Sequence, residues 1–207
     1  MAICRQFGER AFTFILIMLF ARCALAQDVM PAPGQPPALS AEEKALYDAL
    51  MDYRREKGLS DIPLSPSLTY VAQWHVRDLS HARPSNPSSC NLHSWSDEGP
   101  WEACCYTSDH ARSSCMWNKP RELTGYSGDG YEIAHGYMGD AYAGNDVTAE
   151  GSLKGWKSSQ LHDQVICNKG IWEKVSWKAV GVGIYRDFAV VWFGRVADDQ
   201  PFKALKP

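Results

Sequence analysis

The sequence predicts an α+β domain, and three observations support this prediction. Two amphipathic helical segments lie near the start of the mature chain, a third helical segment begins near residue 150, and an alternating apolar hairpin lies close to the end. Between the second and third helices, the stretch from 84 to about 148 has no long periodic segment and holds four cysteines. Elements in this order predict helices layered on a small sheet, with a long loop between them.

The first residues have the pattern of an export signal. Arg5 and Arg10 precede an apolar run at 11–20, and Ala24-Leu25-Ala26 has the small residues that signal peptidase recognises. A membrane-spanning helix needs roughly 20 apolar residues, which is about twice the length of this run. Lipid attachment at Cys23 is the alternative, but the preceding residue is an arginine rather than a small one. We therefore predict a cleaved signal peptide at 1–26, a secreted or periplasmic protein, and no membrane span.

The charge balance of the mature chain argues against nucleic acid as a partner. The full sequence carries 21 basic and 24 acidic residues, and cleavage removes three arginines and one glutamate. The remainder is mildly acidic and has no run of Lys or Arg, whereas phosphate binding needs clustered positive charge. A hydrophobic content of 45% and eight tryptophans are sufficient for a folded core.

Five cysteines remain after cleavage, and four of them are close together in sequence. They are Cys90, Cys104, Cys105, Cys115 and Cys167. In an exported protein cysteines normally form disulfides, and an odd number leaves one over. We predict two bridges within the first four, none between the adjacent pair because that ring is strained, and Cys167 unpaired or intermolecular. Zinc binding by the cysteines is the alternative, but they lack C-x-x-C spacing.

Local patterns define the first two helices. Ser40 followed by Glu43 is a capping box, and Gly58 is a suitable terminator for the helix that follows. After a loop rich in Pro and Ser, Ser67 is predicted to cap the second helix, which cannot continue through Pro84.

A third helix and a hairpin follow the long loop. The helix is predicted around Glu150, and on one continuous helix Trp156 and His162 occupy different faces, which suits one core residue and one cleft residue. Residues predicted to share its broad apolar face are Leu153, Trp156, Leu161 and Val165. The hairpin is predicted from the alternation at 180–185, a turn at Arg186-Asp187, and a return strand at 188–193.

Three short segments contain the residue types that could perform chemistry. They are Leu92-His93-Ser94, Gly130-Tyr131-Glu132-Ile133, and the segment from Trp156 to His162. Each segment alone is weak evidence for a functional site. An isolated histidine is usually a surface or core residue, and a glutamate in a Gly-rich loop is usually solvated.

Their order along the chain resembles the CAP superfamily (cysteine-rich secretory protein, SCP or pathogenesis-related-1-like domains) in its bacterial form, over about residues 40–196. The most specific piece is Trp156-x-x-Ser159-x-x-His162 followed by Gly181-Val182-Gly183. The second helix also matches, at Leu68, Ala72, His75 and Asp78. The resemblance implies an α-β-α sandwich with a central cleft, built by a domain at 40–197 between a Pro-rich linker at 27–39 and a C-terminal tail at 198–207.

The resemblance also implies a set of cleft residues. Carried over position by position, the first histidine falls on His93, the first acid on Glu132 and the second histidine on His162, while the second acid of the family falls on Ser159. Some members bind a divalent metal, often zinc, and His93, Glu132 and His162 are the expected ligands here. We therefore expect these three side chains to converge.

The cysteine-rich loop has two interpretations. It is either a structural element stapled by disulfides or a binding surface at the mouth of the cleft. In the second case its aromatic residues would offer stacking faces to a sugar, lipid or peptide. These residues are Trp95, Trp101, Tyr106 and Trp117.

Two functions from different classes follow from these residues. The favoured one is a secreted binding or interaction module whose His/Glu cleft holds a divalent metal or a small ligand, with a lipid, glycan or protein as partner. The alternative is a metal-dependent hydrolase in the same cleft, for which no general base is evident. A serine hydrolase using Ser159 with His162 lacks a third member and an oxyanion site. The sequence leaves the identity of the ligand open.

Overall fold

The computed structural model describes residues 35–85, 89–136 and 147–205. The predicted signal peptide at 1–26 and the first part of the predicted linker lie outside these ranges. Across the described ranges, none of the helices has the length and apolar character needed to cross a bilayer.

Six helices, one 3-10 turn and three strands are formed by the described residues. In chain order they are α1 (Ala41–Glu56), α2 (Pro66–His81), α3 (Ser113–Trp117), α4 (Lys119–Leu123), β1 (Gly130–Gly136), α5 (Ala149–Ser158), α6 (Gln160–Ile166), the 3-10 turn (Gly170–Trp172), β2 (Ala179–Tyr185) and β3 (Phe188–Gly194).

The three strands form one antiparallel sheet in the order β1-β3-β2. The predicted hairpin is present as β2 and β3, with Arg186 and Asp187 in the turn. Strand β1 lies inside the stretch for which the sequence predicted only loop, and it pairs along its whole length with β3, from Gly130 opposite Gly194 to Gly136 opposite Phe188.

Both faces of the sheet are covered by helices. Strand β3 alternates between the two core clusters: Ala189, Val191 and Phe193 pack in the cluster that contains the apolar residues of α1 and α5. Phe188, Val190 and Trp192 pack in the cluster that contains the apolar face of α2. The α+β class and the α-β-α layering predicted for the chain are therefore confirmed by the packing of its own residues.

The start of α1 follows the prediction. The Ser40 side chain accepts a hydrogen bond from the Glu43 backbone N–H at 3.2 Å, and the Glu43 carboxylate accepts one from the Ser40 N–H at 2.8 Å. Gly58, just beyond the helix, has a φ of +73°, a conformation that glycine adopts without strain.

The start of α2 differs from the prediction. Ser65 caps the helix by accepting from the Leu68 N–H at 3.0 Å, and Pro66 occupies the first helical position. Ser67, the predicted cap, lies inside the helix and donates its hydroxyl to Asp198 at 3.0 Å. The Ser-Pro-Ser sequence offers two candidate caps, and proline at the first helical position selects the earlier one.

The predicted third helix is two helices. Ser159 has an extended backbone (φ −98°, ψ 113°) and separates α5 from α6. The single apolar face expected across both segments is therefore wrong, and Leu161 is 74% exposed instead of packing in the core. Trp156 does pack in the core as predicted, with 1% exposure.

Helix α2 lies directly against the backbone of β2. A Cβ atom added at Gly181 would lie 2.1 Å from the carbonyl carbon of Leu68, and one added at Gly183 would lie 2.5 Å from the carbonyl oxygen of Ala72. Only glycine permits this approach of helix to strand. The Gly181-Val182-Gly183 segment therefore places α2, and with it the candidate site, on the sheet.

Two disulfides staple the long loop. Cys90 is bonded to Cys105 and Cys104 to Cys115, while Cys167 is free and buried. This confirms the prediction of two bridges within the first four cysteines. Backbone hydrogen bonds between Trp95 and Cys104, 2.8 and 2.9 Å long, hold the loop between the bridges. His93 lies inside the segment that the Cys90–Cys105 bridge closes, three residues after Cys90.

Candidate functional site

Glu132 lies at the centre of the candidate site. Its side chain projects from β1 with no exposure to solvent. One carboxylate oxygen, Oε1, lies 2.5 Å from Nδ1 of His75, and the other, Oε2, lies 2.7 Å from Nδ1 of His93. The structure thus brings together Glu132 and His93, two of the predicted residues, and joins to them a histidine that was not predicted as a site residue.

His75 comes from the middle of α2 and is fully buried. Its Nε2 lies 2.9 Å from the backbone oxygen of Ser94, and its ring stacks on Trp95 with centroids 4.2 Å apart and planes 5° from parallel. In the sequence His75 occupies a helix position within an apolar stripe, which is the pattern of a core residue. Its polar contacts are with β1 and with the loop after α2. The helical periodicity of the sequence cannot predict contacts with such distant residues.

The contacts of His75 define where its protons lie. A carbonyl oxygen can only accept a hydrogen bond, so Nε2 of His75 carries a proton towards Ser94. Burial alone would lower the pKa of His75, but the charge of Glu132 and the hydrogen bonds with it outweigh burial and raise the pKa. Burial would likewise raise the pKa of Glu132, but the two histidines outweigh it and lower the pKa. His75 and Glu132 are therefore a buried imidazolium–carboxylate pair.

Glu132 also orients His93. Because the carboxylate accepts at Oε2, Nδ1 of His93 carries a proton towards Glu132, and this contact selects the tautomer whose Nε2 has the lone pair. His93 is about one-fifth exposed, and its ring meets Tyr106 edge-on at 5.2 Å. The site therefore presents one oriented imidazole with an available acceptor nitrogen.

His162 and Ser159 belong to the neighbouring helices. His162 lies half-buried on α6, and burial first, then the charges of His93 and His135, lower its pKa. Burial also lowers the pKa of His135, which follows Glu132 on β1. Both rings are thus neutral at neutral pH and close enough to interact electrostatically with each other. Ser159 lies half-buried at the junction of α5 and α6.

The predicted three-ligand metal site does not fit this arrangement. Both oxygens of Glu132 are already used by His75 and His93, and the carboxylate is inaccessible to solvent. In the part of the chain that the structure describes, no three or more His, Cys, Asp or Glu side chains are grouped as a metal would require. Any metal in this site would be held by the nitrogens of His93 and His162 without Glu132.

The aromatic residues of the stapled loop divide into two groups. Trp95 and Tyr106 are 2% and 5% exposed, so they are core residues and the predicted stacking faces at these positions are wrong. Trp101 and Trp117 are half-buried. A surface pocket of about 650 Å³ lies between the end of α2 and the loop and reaches Trp95, the ring that stacks on His75. Trp95 and Tyr106 therefore support the site as structural residues, packed against His75 and His93.

The buried pair makes stability depend on pH in a defined way. His75 has a raised pKa, so its contribution is complete below its ordinary value of about 6.5 and is lost as the pH rises through the folded-state pKa. Glu132 has a lowered pKa, so its contribution is complete above about 4.5 and is lost as the pH falls. We expect the difference in free energy of unfolding between wild type and His75→Gln to be largest between about pH 4.5 and 6.5. Urea denaturation across the pH range measures it, and a difference independent of pH would contradict the assignment.

Comparisons with known proteins concern the fold alone. No family model matches the chain, and no curated protein is a significant match. A solved structure of a cysteine-rich secretory protein from Staphylococcus aureus is similar at 15% identity and a TM-score of 0.44, covering 75% of this chain and 39% of that one. An extracellular SCP-domain protein from Bacillus anthracis is similar at 14% identity and a TM-score of 0.47, covering 77% and 45%. This chain thus spans less than half the length of either protein.

Proposed function

We propose that this chain is an exported binding protein of the CAP type, whose ligand is held beside β1 by His93 and His162. The observation that carries the proposal is the engagement of Glu132 on both of its oxygens. A carboxylate with a lowered pKa that is shielded from solvent is a poor proton acceptor for an incoming substrate. Its role is to hold His93 in one tautomer, which favours binding over bond cleavage.

The chemistry of the two partly buried imidazoles, His93 and His162, indicates the kind of ligand. Neutral imidazole nitrogens accept hydrogen bonds and are the nitrogen ligands that Zn²⁺, Cu²⁺ and Ni²⁺ prefer. A carboxylate that accepts from the far nitrogen of a histidine fixes the ring and raises its basicity, as in many metal sites. We propose a small polar ligand or a divalent transition metal at His93 Nε2 and His162, with the remaining metal positions filled from outside the protein.

Metal titration tests the site directly. We expect isothermal titration calorimetry of the purified, untagged protein with Zn²⁺ to give one site, and His93→Ala or His162→Ala to weaken it by about tenfold to a hundredfold. His81→Ala, which removes an exposed histidine at the end of α2, is the matched control and should bind as wild type does. A chelator should lower the melting temperature of metal-loaded wild type but not of His162→Ala.

Two results would contradict the proposal. An identical chelator response in wild type and His162→Ala would show that His162 is no ligand. Equal Zn²⁺ affinity in His93→Ala, His162→Ala and His81→Ala would place the bound metal elsewhere on the protein.

A further inference from the structure

A second cluster of aromatic side chains lies on the other face of β1. Tyr131 precedes Glu132 in the strand, so its side chain projects to the opposite side of the sheet. Its ring lies 5.7 Å from that of Trp117 and 5.3 Å from that of Trp172. All three rings are half-buried, and beneath them Trp177 is 5% exposed and packs on Phe193 with ring centroids 5.3 Å apart.

Arg195 completes this cluster. Its guanidinium carbon lies 4.6 Å from the centroid of Tyr131 and 5.9 Å from that of Trp172, and the residue is exposed. Within the described residues, no carboxylate lies within ion-pair distance of Arg195. By contrast, neighbouring Arg121 is paired with Asp129 at 2.6 Å. We call Trp117, Tyr131, Trp172 and Arg195 the aromatic patch.

The segment that presents Trp172 is held in place by hydrogen bonds. Arg54 of α1 donates to the side-chain oxygen of Asn168 at 2.8 Å, and Asn168 donates in turn to the backbone oxygen of Val175 at 2.9 Å. The backbone N–H of Trp172 donates a hydrogen bond to the backbone oxygen of Lys169 at 3.0 Å. A ligand therefore meets a surface that is already ordered, which lowers the entropic cost of binding.

We propose that the aromatic patch binds a saccharide that carries a carboxylate group, such as a uronic acid unit of an acidic polysaccharide. The C–H groups on the face of a sugar ring carry partial positive charge and stack on the negative face of an indole ring. The planar fork of Arg195 matches a carboxylate, and in the part of the chain that the structure describes no carboxylate pairs with that guanidinium.

The charges around the patch favour such a sugar over other anions. Arg195 is a single guanidinium with no ion pair among the described residues, which suits a polymer with one charge per sugar. A nucleic acid needs several clustered cations to neutralise neighbouring phosphates. Tyr131 and Trp172 pack with the core cluster on the opposite side of the sheet from α2. The patch shares no residue with the ligand site proposed at His93 and His162.

Calorimetric titration with oligogalacturonate tests the proposal, and the same oligomer with its carboxyls methyl-esterified is the matched neutral ligand. We expect the affinity for the acidic oligomer to fall as the salt concentration rises. We expect the affinity for the ester to be lower by about tenfold or more. Arg195→Gln and Trp172→Ala should each weaken the acidic oligomer by about tenfold. Lys174→Gln removes the same charge from a nearby exposed residue and should leave the affinity unchanged. His162→Ala should also leave it unchanged.

Three results would overturn the proposal. They are the absence of binding to the acidic oligomer at millimolar concentration, equal affinities for the acid and its ester, and an unchanged affinity in folded Arg195→Gln. Equal weakening by Arg195→Gln and Lys174→Gln would likewise reduce the interaction to general charge attraction. Circular dichroism and the melting temperature of each variant confirm that it is folded before its affinity is compared.

Discussion

Replacement of Glu132 by glutamine is expected to lower the free energy of unfolding by about 3–5 kcal/mol, which is the cost of breaking a buried ion pair by removing one partner. Glutamine keeps the shape of the side chain but carries no charge. His75 would then be a fully buried imidazole with its Nε2 proton still directed at the Ser94 carbonyl and no carboxylate to stabilise its charge. His93 would lose the partner that fixes its tautomer.

Urea denaturation at pH 6 measures this loss, because the buried pair contributes fully there. Asp129→Asn is the matched control: it removes a carboxylate three residues earlier that pairs with Arg121, and both of those side chains are about 40% exposed. An exposed pair of this kind contributes about 0–1 kcal/mol. If the two variants lose the same free energy of unfolding, Glu132 and His75 are not a buried charged pair.

The elements that could be predicted from the sequence are those whose contacts are local. The capping box at Ser40 and the turn between β2 and β3 each depend on residues only a few positions apart. The bonded cysteines are 15 and 11 residues apart, and their proximity in sequence predicted two bridges within the first four cysteines but left the pairing open. Short-range geometry restricts the cap and the turn to few alternatives, so the sequence pattern was sufficient to predict them.

The elements that escaped prediction depend on distant partners. Strand β1 is short, begins and ends in glycine, and is stabilised by pairing with β3 about sixty residues later. The break at Ser159 has no Gly or Pro to mark it. In the site, His93 and Glu132 came from the resemblance of ordered motifs rather than from periodicity. His75 was missed as a site residue because its partners, Glu132 and Ser94, lie 57 and 19 residues away.

The close approach of α2 to β2 leads to the other large expected effect. Gly181→Ala is expected to lower the free energy of unfolding by about 3 kcal/mol or more, at the upper end of what overpacking costs. The added methyl would lie 2.1 Å from the carbonyl carbon of Leu68 and 2.3 Å from the backbone nitrogen of Thr69. Both contacts are helix backbone, so no side-chain rotation relieves them and α2 must move away from the sheet.

Because α2 carries His75, the same displacement is expected to disturb the His75–Glu132 contact. NMR titration of His75 therefore gives a second measurement for Gly181→Ala. Gly125→Ala is the matched control, since its added methyl would lie 3.5 Å from the Lys203 Cβ, an ordinary contact. Alanine restricts the unfolded chain, so the control should be unchanged or more stable by about 0.4–1 kcal/mol. Denaturation of both variants alongside wild type measures the difference. A Gly181→Ala protein as stable as Gly125→Ala, with the wild-type titration of His75, would mean that the glycines of β2 do not determine how closely α2 packs.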